Sequence, residues 1–160
     1  MKALAILPEI QETLNKDKHH PMHGFAVIYS QQVEWGDMDS FGHVNNAVYY
    51  RYIESARLAY LDRLNILVGP LLTVVATNQC RYLKPVVYPD QLKIGVRIED
   101  IGTTSFRMSY LLWSEQQQSI VAISEAVLVC INKNSMQKMP ISEDVQQIIR
   151  NLENTVEHTV

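Results

Sequence analysis

The sequence predicts an α+β fold, with one long helix lying across a curved antiparallel sheet of about five strands. Three observations carry that expectation. Residues 45–64 contain neither Gly nor Pro, and Tyr49, Tyr52, Ile53, Ala56, Tyr60 and Leu64 recur at three- and four-residue steps. Four β-rich segments follow this stretch, divided by Pro85, Pro89, Asp90 and Gly102. In the segment QLKIGVRI, Leu92, Ile94, Val96 and Ile98 alternate with Lys93, Gly95 and Arg97, so one face is expected to be buried and the other wet.

Taken in order, residues 1–23 read as an N-terminal arm with helical patterning (Leu4, Ile6, Ile10, Leu14), closed by Pro21 and Gly24. Residues 24–160 form the remaining domain. FAVIYSQQVEW suits a first strand, and GDMDSFG ends it. On the helix that follows, Arg51, Glu54, Arg57, Asp62 and Arg63 mark a polar side. Strands are expected within LLTVVATNQCRYL, DQLKIGVRIEDIG, TSFRMSYLLWSE and SIVAISEAVLVCIN. A short C-terminal helix closes the chain, with Ser142 as N-cap and Val145, Ile148, Ile149 and Leu152 as its apolar stripe.

With 160 residues, 47% of them hydrophobic, the chain has enough material for one core. A charged fraction of 19% and a net charge of −3 argue against general attraction to nucleic acid, and no basic helical module is present. No run of 18 apolar residues predicts a membrane-spanning helix. MKALAILPEI is cut short as an export signal by Pro8 and the polar QETLNKDKHH, which suggests a cytoplasmic protein. Cys80 and Cys130 lack metal-site spacing and read as reduced thiols, Cys130 within an apolar strand. His19, His20 and His23 cluster before the first strand, but an arm explains them better than a metal site.

Chemistry concentrates in WGDMDSFGHVNNAVYYRYIESARLAY, where a strand passes into a helix N-terminus. Unpaired N–H groups there stabilise an oxyanion, and a carboxylate a few residues earlier can activate water or attack directly. The string resembles the signature of the hotdog-fold acyl-CoA thioesterases related to 4-hydroxybenzoyl-CoA thioesterase. Its matching elements are Trp35, the pair Asp37 and Asp39, Gly42, Asn46 with Tyr49, and then Glu54 and Arg57. YLKPVVYPDQLKI and GTTSF extend the likeness to residues 25–135.

The resemblance implies a hotdog fold and hydrolysis of acyl-CoA to a free acid and coenzyme A without metal or other cofactor. It makes Asp39 the catalytic carboxylate, as nucleophile or general base, and puts the backbone N–H of Asn46 on the thioester carbonyl. It further implies a homodimer at least, with sheets joined and each site at a subunit boundary, and homotetramers are common in the family. His43 and Glu54 are weaker catalytic candidates; Asn45, Tyr49, Thr104 and Ser105 are candidates for substrate binding.

Each candidate has an ordinary reading. Asp39 could be a turn residue, Asp37 a loop tie, Asn45 and Asn46 helix caps, His43 a backbone-bonded loop histidine, Glu54 a partner for Arg57, and the tyrosines packing. An alternative function is acyl-CoA binding or sensing without turnover. The dehydratase chemistry of the same fold needs a histidine–carboxylate pair in a glycine- and proline-rich segment, which this chain lacks. For phosphate contacts to the coenzyme A nucleotide the sequence offers the cations Arg81, Lys84, Lys133 and Lys138.

Overall fold

The computed structural model describes residues 18–160. The apolar pattern proposed for Leu4, Ile6, Ile10 and Leu14 lies outside the described residues. The elements are β1 (Val27–Gln32), a 3-10 turn (Trp35–Asp37), α1 (Asn46–Leu64), β2 (Leu71–Tyr82), β3 (Gln91–Ile101), β4 (Ser105–Ser114), β5 (Ser119–Asn132) and α2 (Glu143–Asn154). The strands form one five-stranded antiparallel sheet in the order β1-β3-β4-β5-β2. This is the predicted α+β layout and the hotdog fold, with α1 against the inner face.

Helix α1 begins where Asn45 caps it, its side chain accepting from the Ala47 N–H, and ends at Asn65 in the left-handed region with φ 52°. Its buried side holds the whole expected stripe, together with Leu61 and Arg57. Arg57 is thus not on the polar side: it sits three or four residues from Ile53, Tyr60 and Leu61, and its guanidinium lies 3.5 Å from the Tyr110 hydroxyl. A long aliphatic stem lets arginine occupy an apolar stripe. Across from the helix, Leu92, Ile94, Val96 and Ile98 are fully buried, as the alternation predicts.

The opposite face of β3 is not simply wet. Before β1 the chain turns back over it, so Met22, Phe25 and Ile28 form a second small cluster with Leu111 and Trp113. Gly24, at φ +88°, takes the left-handed conformation that this reversal requires. The His20 ring meets Trp113 at 4.8 Å with the planes tilted by 57°, and its Nδ1 accepts from the Met22 N–H. Beneath the cluster, Lys93 is buried and donates to Ser30 Oγ at 2.7 Å, burial pulling its pKa down. Arg97 lies over the Phe25 ring at 4.8 Å.

Two further features frame the site. Among the described residues strand β2 pairs only with β5, and its Leu72, Val74 and Val75 are exposed. Helix α2 opens as expected, with Ser142 Oγ accepting from the Val145 N–H; Ile149 is buried, whereas Ile148 is exposed. Among the described residues no helix is long and apolar enough to cross a membrane.

Candidate active site

The segment between β1 and α1 is built from short-range hydrogen bonds. Val33 N–H is held by the Asp90 carbonyl at 3.0 Å, after which one 3-10 turn forms. That turn is boxed reciprocally: Asp37 N–H donates to Glu34 O, and Glu34 N–H donates to Asp37 Oδ2. Met38 and Val44 then bridge antiparallel, Asp39 N–H donates to His43 O at 2.9 Å, and Gly42 N–H donates to Asp39 O at 3.0 Å. The tip is a tight turn, and Gly42 at φ +81° supplies the conformation it needs.

Asp39 thus sits at the tip of a miniature hairpin whose second leg runs straight into Asn45 and Asn46. Its Oδ1 accepts from the Phe41 N–H at 2.9 Å, while Oδ2 has no partner among the described residues. Asn46 is the first residue of α1, so its N–H has no intrahelical acceptor and lies at the positive end of the helix dipole. Among the described residues, one short segment therefore carries an unpartnered carboxylate oxygen and, at its end, a helix N–H without an intrahelical acceptor. The hairpin's second leg also forms a wall of a cleft of about 260 Å³, lined by His43, Val44, Asn46, Tyr49, Tyr82, Leu83, Lys84 and Pro85.

Of the other sequence candidates, Asn45 is an N-cap and Tyr49 is a buried cleft wall. Burial pushes the Tyr49 phenol up to about 12, which keeps it neutral. His43 is exposed on the cleft, and its backbone oxygen closes the Asp39 turn. Glu54 stands apart: eight residues along the helix from Asn46 is roughly 12 Å of rise, and its exposed carboxylate lies 4.0 Å from Arg57. Thr104 and Ser105 are farther still. They shape the β3–β4 turn through bonds from Cys130 N–H and Gly102 N–H, at the opposite end of β3 from Asp90, a span of roughly 30 Å.

Sequence reasoning missed Tyr82. Its hydroxyl donates to the Asn46 carbonyl at 2.8 Å, and its ring meets Tyr49 edge-on at 5.0 Å, so the end of β2 is tied to the start of α1. The aromatic that opens YLKPVVYP was the available signal. Asp37 is a tie, not an exposed acid: it is 6% exposed and bonded to Tyr52 and Arg51. Burial acts to raise its pKa, but the bonds from Tyr52, Glu34 and Arg51 and the Arg51 charge outweigh this and hold it below 3.8. Burial also pushes the Cys130 thiol up to about 11 and raises Cys80, the reverse of an activated nucleophile.

Comparison with known proteins bears on this geometry. The family model described as the thioesterase-like superfamily matches residues 33–149. The uncharacterised protein YsmA of Bacillus subtilis is 34% identical over 89 residues, 54% of this chain, and the match spans 60% of that relative's own length. The long-chain acyl-CoA thioesterase FadM of Escherichia coli is 25% identical over 114 residues, covering 69% of this chain and 86% of FadM. A thioesterase from Thermus thermophilus, solved in complex with coenzyme A and zinc, superposes with a TM-score of 0.73 at 34% identity, covering 82% of this chain and 97% of that one. With the hairpin, the helix start and strands β2 to β5 inside the matched region, the chain belongs to the thioesterase-like superfamily of hotdog proteins.

Proposed function

We propose that the protein hydrolyses acyl-CoA thioesters to a free carboxylic acid and coenzyme A, with Asp39 as the catalytic carboxylate and the Asn46 N–H as oxyanion donor. The observation that carries this reading is a hairpin that bears Asp39, with Oδ2 unpartnered among the described residues, and runs directly into the helix N-terminus at Asn46, which lines an apolar cleft. Names borne by relatives, among them an acyl-CoA thioesterase and a coenzyme A complex, support the substrate class.

As general base, Asp39 Oδ2 takes a proton from water while the water oxygen attacks the thioester carbon; the oxyanion accepts from Asn46 N–H until the C–S bond breaks and thiolate leaves. As nucleophile, Oδ2 itself attacks, thiolate leaves from a mixed anhydride, and water then hydrolyses the anhydride. In a single turnover in ¹⁸O-labelled water, label in the Asp39 carboxylate identifies the nucleophilic route with water attacking the Asp39 carbon, because the general-base route puts the label in the product acid alone. Lys84, alone among the four cations noted for the nucleotide, stands in the cleft wall and suits a phosphate contact.

A second copy accounts for Thr104 and Ser105. Ser105 is level with Val129, and Val129 with Val74, at the end of β2 remote from Tyr82. Joining two β2 edges antiparallel about Asn78 sets Val74 of one copy against Tyr82 of the other. Ser105 of that copy then lies two strands, roughly 10 Å, from the joined edge on the side of this cleft. We accordingly propose a homodimer with shared sites; the free thiols Cys80 and Cys130 fit a cytoplasmic location.

Thiol release from short, long and aromatic acyl-CoAs by the native protein and by Asp39→Asn tests the reading. Loss of about a hundredfold or more in the variant is expected for removal of a base or nucleophile. Equal rates sink the role of Asp39, and binding without any release favours a sensor.

A further inference from the structure

We infer that Asp37 is a positioning residue: it locks the Asp39 hairpin to the start of α1 and so fixes the catalytic carboxylate against the oxyanion donor. The inference rests on the hydrolase reading above and gives Asp37, whose ordinary reading is a loop tie, a part in that site.

The geometry is specific. Asp37 stands two residues before Asp39, and its carboxylate collects donors from both sides of the site. From the hairpin side comes the Glu34 N–H at 3.0 Å; from the second turn of α1 come the Tyr52 hydroxyl at 2.5 Å and the Arg51 guanidinium. Its carbonyl oxygen takes the Asn45 N–H at 2.9 Å, the residue that caps α1 and precedes the oxyanion donor. One residue therefore grips the helix at its cap and again six to seven residues on, which fixes both its axial position and its rotation relative to the turn that bears Asp39. The carboxylate is 6% exposed, so water does not readily replace a lost donor.

A carboxylate suits this place because all three side-chain contacts are donors. An amide of the same shape must turn its N–H₂ toward Arg51 or toward the Tyr52 and Glu34 pair, setting donor against donor. The hairpin and the helix then separate slightly without the cleft being removed. Misplacement of about 1 Å at a reacting centre costs on the order of a hundredfold in rate.

The test measures kcat and KM for native protein, Asp37→Asn, Tyr52→Phe and Asp39→Asn on the best acyl-CoA. Amide resonances of Phe41, Asn45 and Asn46 are followed in ¹⁵N-labelled samples of each. Asp37→Asn is expected to lose about a hundredfold in kcat with KM within about twofold, and Tyr52→Phe about tenfold. In both, the Asn45 and Asn46 amides shift. Asp39→Asn is expected to move Phe41, whose N–H it accepts, and to leave Asn45 in place. Native kcat in folded Asp37→Asn, or unmoved Asn45 and Asn46 amides, overturns the inference. Should Asp37→Asn not fold, Tyr52→Phe decides by the same two readings. Full activity in Asp39→Asn would instead sink the hydrolase site itself, while the amide shifts still report whether Asp37 holds the hairpin to the helix.

Discussion

Replacing Gly95 by alanine inverts the usual effect of that change. In a strand interior, glycine is worse than alanine by roughly 0.5–1 kcal/mol, so Gly→Ala ordinarily stabilises. Here a Cβ built on Gly95 lies 2.6 Å from Phe25 Cγ and 2.8 and 2.9 Å from the two Cδ atoms. The ring is the flat lid of the cluster with Met22 and Ile28, and Arg97 covers it at 4.8 Å, so it cannot swing aside without uncovering Leu111 and Trp113. Overpacking of this kind costs about 1–3 kcal/mol, which lowers Tm by roughly 3–10 °C in a chain of this size. In a Phe25→Ala background the same substitution becomes neutral or stabilising. Urea denaturation of the four proteins closes a double-mutant cycle with an expected coupling of about 1–4 kcal/mol. Equal destabilisation by Gly95→Ala in both backgrounds would refute the argument that Phe25 seals the outer face of the sheet.

Two further outcomes follow from buried and exposed ends of the fold. Glu153 is fully buried, with Oε1 accepting from Tyr60 and Ile98 N–H and Oε2 unpartnered among the described residues. Burial, opposed by those bonds and by His158 and Arg97, raises its pKa above the ordinary 4.5. A raised carboxyl pKa means that the folded chain keeps a proton the unfolded chain releases, so this group's contribution is complete below pH 4.5 and declines as pH rises toward the folded value. Glu153→Gln is expected to flatten that decline in a series of thermal melts, and an unchanged pH slope would count against it. At the free edge, Val74→Asp is expected to split the proposed dimer in sedimentation and to abolish thiol release with it; an active dimer would exclude the β2 join.

What the sequence made legible was whatever depends on near neighbours. The α1 stripe and the β3 alternation follow from periods of 3.6 and 2, and each held residue by residue for its apolar members. The turn read at GDMDSFG is equally local, since Asp39 N–H bonds to His43 O and Gly42 N–H to Asp39 O within five residues. Errors fall where polarity was read as exposure. Arg57 and Lys93 are buried because one lies along the α1 stripe and the other under the folded-back segment before β1, and neither circumstance is written in the residue itself. Gly95 shows the same limit from the other side: only the arrival of Phe25, seventy residues earlier in sequence, explains why no side chain fits. Thr104 and Ser105 mark the farthest reach of this logic. One chain holds them at the far end of β3 from the Asp39 hairpin, so the substrate-binding part proposed for them rests on the proposed second copy. The β2 edge, unpaired on its outer side among the described residues and carrying Val74 and Tyr82 toward its two ends, is the feature on which that proposal rests.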